Sequence, residues 1–180
     1  MPSSKPITSA LFVLSAALIG CASADVTSNK DPGFALKPER ILVVLRPGPT
    51  SEVGKNVMTI LSERLPGEFT RRSVQAEAVV LDGLELDEGM IARRVTEARA
   101  EAILVLVETS QVTTDGAVTG SVVEAAIVLP DTERTVWRAR LNAKSAGGVF
   151  QGNPAPQYAR VLTEALFKGL EDDAIIGQPE

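Results

Sequence analysis

Residue types that commonly perform acid–base or covalent catalysis are scarce in this chain of 180 residues. It has no histidine and one cysteine, which removes the commonest general base, the serine–histidine–aspartate triad and most zinc sites. Carboxylate pairs of the kind used in glycoside hydrolysis occur at Glu85/Asp87 and Asp172/Asp173. Both pairs lie beside predicted turns or near the end of the chain, without an aromatic platform for a sugar. We interpret them as solvated charges, and we expect no enzyme activity, metal or other cofactor.

A glycine-containing stretch, 48–56, lies between a predicted strand and a predicted helix, where a phosphate-binding loop would belong. Five residues rather than four separate Gly48 from Gly54, so the backbone cradle would have the wrong length. Asn56 stands where the motif needs a Ser or Thr hydroxyl to bind magnesium. The stretch is better interpreted as the start of a helix.

The single cysteine, Cys21, directly follows an apolar segment near the N-terminus. Lys5 precedes that segment, and residues 10–19 are nearly all apolar, a length typical of a secretory signal and too short to cross a bilayer. One cysteine cannot form an internal disulfide. The sequence therefore predicts a signal peptide over residues 1–20 and some other use for the thiol of Cys21.

The four residues Leu18, Ile19, Gly20 and Cys21 resemble the lipobox of bacterial lipoproteins. The resemblance implies that Cys21 is acylated and becomes the first residue of the mature protein. Alanine rather than aspartate follows the cysteine, which in Gram-negative lipoproteins implies the outer membrane, on its periplasmic side. An alternative is an ordinary signal peptide that is cleaved at the small residues 22–24, which would leave a soluble secreted protein.

Residues 21–38 are predicted to form the lipidated cysteine and a flexible tether, because 22–38 are rich in polar residues, Pro and Gly without apolar periodicity. The tether would keep the folded part close to its membrane. One domain is expected over 39–174, followed by a short tail over 175–180. The net charge of −5 makes nucleic acid a poor candidate as a partner.

Apolar periodicity predicts the order β-α-β-α-β-β-β-α and an α/β (mixed α+β) fold, with helices packed on a mixed five-stranded sheet. Strands are predicted at 41–45, 76–81, 102–107, 118–129 and 135–143. Helices are predicted from a cap at Thr50 or Ser51 to Pro66-Gly67, from Asp87 to Ala98, and over 155–170.

Three stretches, 40–49, 100–105 and 135–139, give this pattern a resemblance to a recurring domain of bacterial envelope proteins. The domain occurs in the amino-terminal part of the Tol translocation protein, in curli-secretion-type lipoproteins and in penicillin-binding-protein-activator lipoproteins. The lipobox, the short tether and the scarcity of catalytic residue types, rather than this resemblance, lead us to expect a non-catalytic accessory or assembly factor that binds another envelope component. A module that binds a small ligand or glycan, in a cleft near 47–51 and 110–116, is the alternative. The oligomeric state stays open.

The last predicted strand carries a basic stripe, Arg138, Arg140 and Lys144, on the side opposite Trp137. One interpretation is that these charges protect an edge strand from aggregation. The other is a docking face for an acidic partner, for peptidoglycan carboxylates or for lipid phosphates. Trp137 is predicted to pack in the core between this strand and the last helix.

Overall fold

The computed structural model of the protein describes residues 22–48, 52–81, 89–114, 117–145 and 153–179. The predicted signal peptide, the lipobox, the predicted helix caps Thr50, Ser51 and Asp87, and Glu85 lie outside these residues. In chain order the elements are β1 (Ala22–Lys30), β2 (Arg40–Arg46), α1 (Glu52–Thr70), β3 (Gln75–Val80), α2 (Met90–Ala98), β4 (Ala102–Thr114), β5 (Ala117–Val128), β6 (Thr135–Ser145) and α3 (Ala155–Asp172).

The strands form one mixed sheet in the order β1-β6-β5-β4-β2-β3. β2 lies parallel to β3 and to β4, and the pairs β4/β5, β5/β6 and β6/β1 are antiparallel. Residues 41–45 of β2 are all buried, as expected for a central parallel strand with helices on both faces. The predicted mixed α/β architecture is confirmed.

The predicted number of strands is wrong, because residues assigned to a flexible tether form a sixth strand. β1 begins at Ala22, the residue after Cys21, and pairs with β6 along its whole length. Its side chains alternate between half-buried and exposed, and Val26 packs against Gly169 of α3. Small residues such as Ala22 and Ala24 give too weak an apolar signal for this alternation to be recognised, although the backbone pairing with β6 does not depend on them.

The first helix extends beyond its predicted end at Pro66-Gly67 and continues to Thr70. An internal proline costs about 3 kcal/mol. Leu65 and Phe69 are both fully buried on either side of it, and each such burial stabilises by about 1.5–3 kcal/mol. Burial in the tertiary structure therefore outweighs the local helix-breaking tendency.

The two faces of the sheet are covered differently. α1 and α3 pack on one face and enclose the main core, which includes Trp137, Tyr158 and Phe69. The helix predicted over 155–170 is present as α3, and the apolar residues of its inner face are buried: Tyr158, Val161, Leu162, Ala165, Leu166 and Leu170. On the other face α2 covers Leu42 and Val44 of β2 in a smaller cluster.

Candidate functional site

The candidate site is the part of the second face that continues from α2 across β4, β5, β6 and β1, here called the open face. Strand register places two rows of side chains on it, because directly paired residues point to the same side of a sheet. One row contains Val105, Ala126, Arg138 and Asn29, and the next contains Val107, Glu124, Arg140 and Thr27.

These rows line a depression of about 620 Å³. Its floor is apolar, because Val105, Val107 and Ala126 are half-buried there. Arg138 and Arg140 are exposed and form its basic side. The depression therefore joins an apolar strip along β4 and β5 to a cationic strip along β6.

The positive charge on β6 is only partly balanced, because two carboxylates, Glu124 on β5 and Asp25 on β1, share the open face with the three cations. Arg140 Nη2 lies 2.8 Å from Glu124 Oε1, but the two side chains are 62% and 48% exposed, and exposed pairs of this kind contribute less than about 1 kcal/mol. Within the described residues, Arg138 and Lys144 form no ion pair. The strip can attract an anionic group without first breaking a strong internal interaction.

The structure places the three predicted residues Arg138, Arg140 and Lys144 together on this face. Protection of an edge strand is the wrong explanation for them, because β6 lies between β1 and β5 and has no free edge. Trp137, on the other side of β6, is 1% exposed, which confirms its predicted place in the core.

The carboxylates Asp172 and Asp173 have structural contacts. Asp173 Oδ2 accepts a hydrogen bond from Trp137 Nε1 at 2.7 Å, and Asp172 pairs with Lys168 one helical turn away. Asp173 therefore fixes the end of α3 against β6.

Glu108, a buried carboxylate that the sequence analysis did not single out, contacts Gly48 and Gln111, which are described residues of the predicted cleft. Residues 49–51 and 115–116 of that cleft lie outside the described residues. The side chain of Glu108 is 5% exposed. It accepts hydrogen bonds from Gly48 N at 3.0 Å, Gln111 Nε2 at 2.7 Å and Ser121 Oγ at 3.0 Å. Glu108 falls at the same alternate positions as the buried residues of β4, which is a sequence signal for burial. Glutamate, however, is rarely buried without hydrogen-bonding partners, and only the tertiary structure shows those partners.

A second missed contact ties α1 to α3. Arg72, which follows the end of α1, has a side chain only 10% exposed. Its guanidinium lies 4.1 Å from the ring centroid of Phe167. The guanidinium also donates hydrogen bonds to the carboxylates of Glu171, at 2.7 Å, and Glu68. These partners satisfy the buried charge, so the group is structural.

The described residues offer few groups suited to chemistry. They contain no cluster of three or more acidic or cysteine side chains that could hold a metal ion. Burial raises the pKa of Tyr158, whose hydroxyl donates to the carbonyl of Val118 at 3.2 Å. Among these same residues, no helix is both long and apolar enough to cross a membrane.

No family model matches the chain, and no curated protein matches it. Two crystal structures of the PelC dodecamer from Paraburkholderia phytofirmans are similar in fold. One has a TM-score of 0.53 at 14% identity, over 79% of this chain and 95% of PelC. The other has a TM-score of 0.52 at 13% identity, over 79% and 94%. A DUF330 protein from Xanthomonas campestris has a TM-score of 0.42 at 11% identity, over 81% and 93%. The likeness to PelC shows a shared fold.

Proposed function

We propose that the protein is a lipoprotein anchored through Cys21 to the outer membrane, on its periplasmic side, where it acts as a non-catalytic accessory or assembly factor. It binds another component of the cell envelope through the open face. The anchoring part rests on the lipobox resemblance of residues 18–21. The observation that carries the binding part is the combination of an apolar floor with the cations Arg138 and Lys144, which have no ion pair within the described residues.

The position of β1 supports a particular way of anchoring. Because β1 begins at Ala22 and pairs with β6 near Ser145, an acyl group on Cys21 would hold this end of the sheet at the bilayer. The longest strand has 13 residues, or about 40 Å at about 3.3 Å per residue. The domain would reach only components that come within roughly that distance of the membrane.

Self-assembly is a further part of the proposal. PelC was crystallised as a dodecamer, and the shared fold supports testing whether this chain also assembles with copies of itself. The mass of the purified mature protein, measured by light scattering after size-exclusion chromatography, distinguishes a monomer from an oligomer.

A second candidate function is the binding of a small ligand or glycan. The depression of about 620 Å³ has the size of a small-molecule site, and Thr27, Asn29 and Arg138 place hydrogen-bonding groups around it. Titration with anionic oligosaccharides, followed by chemical-shift changes confined to the open face, would favour this function over protein binding.

The main test compares the lipidated protein with a Cys21→Ser variant. We expect the wild-type protein in the outer-membrane fraction and the variant in the soluble fraction. Chemical cross-linking in intact envelopes, followed by affinity purification, should recover a dominant partner with the wild type only. If the variant remains membrane-bound, the anchoring proposal is wrong. If both forms recover only background proteins, the accessory role is wrong.

A further inference from the structure

The two faces of the sheet hold different numbers of helices, although they have equal width. Six strands spaced about 4.8 Å apart span about 24 Å, and helices pack side by side about 8–10 Å apart. Each face therefore has room for two helices. One face holds α1 and α3, whereas α2 is the single described helix on the other face, where it packs on β2. One helix position beside α2, above β4 to β6, has no described helix in it.

The floor of this position has the composition of a helix-packing surface. It continues the cluster under α2, since Ile103 and Val105 pack against that cluster. The floor residues on β4 and β5 are half-buried, not fully buried like the core beneath α1 and α3: Val105, Val107, Val122, Ala126 and Val128. Covering them would remove apolar surface from water at about 25 cal/mol per Å².

The cations of β6 lie at the edge of this helix position that is farthest from α2, and they favour a helix with acidic residues on that side. Arg138 and Arg140 are two residues apart on one strand, about 6.7 Å, and one helical turn is about 5.4 Å. Lys144 lies six residues from Arg138, about 20 Å along the strand, the length of a helix of about 13 residues. Acidic residues on successive turns of a helix would therefore lie beside these three cations.

We propose that the open face binds one amphipathic helix of a partner protein. That helix places its apolar stripe on Val105, Val107 and Ala126 and an acidic flank along Arg138, Arg140 and Lys144. This inference rests on the proposed accessory function and specifies the chemistry of the partner at the same site. It corresponds to helix-in-groove recognition, in which apolar anchors recur at positions i, i+3, i+4 and i+7.

Photo-cross-linking in intact cells tests the inference with the full lipidated chain. The photoreactive residue p-benzoylphenylalanine is introduced at Ala126 on the floor or, as a control, at the exposed Glu164 on α3. We expect the floor probe to cross-link one protein, and mass spectrometry should map the product to a segment with apolar residues at helical spacing and Asp or Glu on one flank. The Glu164 probe should not reach that segment.

Charge reversal supplies the second readout. The double variant Arg138→Glu/Arg140→Glu should lower the cross-link yield from Ala126 at least tenfold. Arg160→Glu, a reversal of an exposed arginine on the helix-covered side, should leave that yield unchanged. Equal loss in both variants would show a general effect of charge and would overturn the assignment.

The remaining outcomes separate this inference from the proposed function. Cross-links from Ala126 to a second copy of this chain, to glycan, or to a segment without an acidic flank overturn the partner-helix assignment. A partner reached only from Glu164 overturns the inference and the placement of binding on the open face, but it leaves the accessory role itself standing. No partner from either probe contradicts both proposals.

Discussion

Glu108 offers the sharpest test of how the strands and the loop after β2 are held together. Its carboxylate is 5% exposed and accepts three hydrogen bonds, from Gly48, Gln111 and Ser121. Glu108→Ala leaves the buried amide of Gly48 and the buried hydroxyl of Ser121 without this acceptor, at about 1–3 kcal/mol each. The half-buried Gln111 can turn to water. We therefore expect the free energy of unfolding to fall by about 2–6 kcal/mol.

The isosteric change Glu108→Gln should cost less, about 1–3 kcal/mol. An amide has one acceptor oxygen, so it can serve either the donors at Oε1 or the Gly48 amide at Oε2, but not both sides. Urea unfolding of the mature protein, followed by circular dichroism, measures these differences. A loss below about 0.5 kcal/mol for Glu108→Ala would refute the view that this carboxylate stabilises the fold.

A double-mutant cycle with Gly48 checks the geometry independently. A Cβ atom at Gly48 would lie 2.9 Å from Glu108 Oε2, so Gly48→Ala should cost about 1–3 kcal/mol as overpacking. In the Glu108→Ala background the clashing atom is absent, and the same substitution should cost less than about 1 kcal/mol. Additive costs would contradict direct contact between the two residues.

Three further predictions concern the packing of α3. Gly169→Ala should destabilise the protein by about 1–3 kcal/mol, because the new Cβ would lie 2.9 Å from Val26 Cγ2. The double variant with Val26→Ala should recover part of that loss, as measured by thermal unfolding. If it recovers none, the packing of β1 against α3 is not as the structure has it. Asp173→Ala should cost about 1–3 kcal/mol, because it removes the acceptor of Trp137 Nε1; unchanged stability and unchanged tryptophan fluorescence would count against that bond. Burial raises the pKa of Tyr158 above 10.0, so the stabilisation that this shift adds to the free energy of unfolding is present below about pH 10 and is lost as the pH rises through the pKa of the folded state. Tyr158→Phe should therefore reduce the loss of stability above pH 10. Plots of unfolding free energy against pH that run parallel for the two proteins would contradict this.

Strongly periodic segments were the ones that sequence reasoning located well. β2 is a short run of aliphatic residues, three of them β-branched, that ends before Pro47, so length, residue type and the flanking proline indicate a strand. α3 repeats its apolar residues at helical spacing, which indicates a helix. The alternation along 135–143 also placed Arg138, Arg140 and Lys144 on one side of a strand and Trp137 on the other. Their common side follows from the period of two in a strand, which does not depend on neighbours.

Elements whose stability comes from distant contacts were missed or misjudged. β1 has mostly small and polar residues, and it is held by backbone pairing with β6 and by the contact of Val26 with Gly169. The end of α1 depends on the burial of Phe69 beyond Pro66. In both cases the local sequence favours a different outcome, and the tertiary contacts override it.

For the candidate binding site too, some properties follow from the sequence and others only from the tertiary structure. By itself the sequence determined the lipobox resemblance, the scarcity of catalytic residue types and the basic side of the last strand, because these properties lie in residue type and short-range spacing. Only the tertiary structure decided that this strand is interior, that Glu108 is buried, and that α2 is the single described helix on its face of the sheet, which leaves the open face beside it. Strand order and helix placement arise from contacts between residues far apart in the chain, and periodicity carries no information about which elements become neighbours.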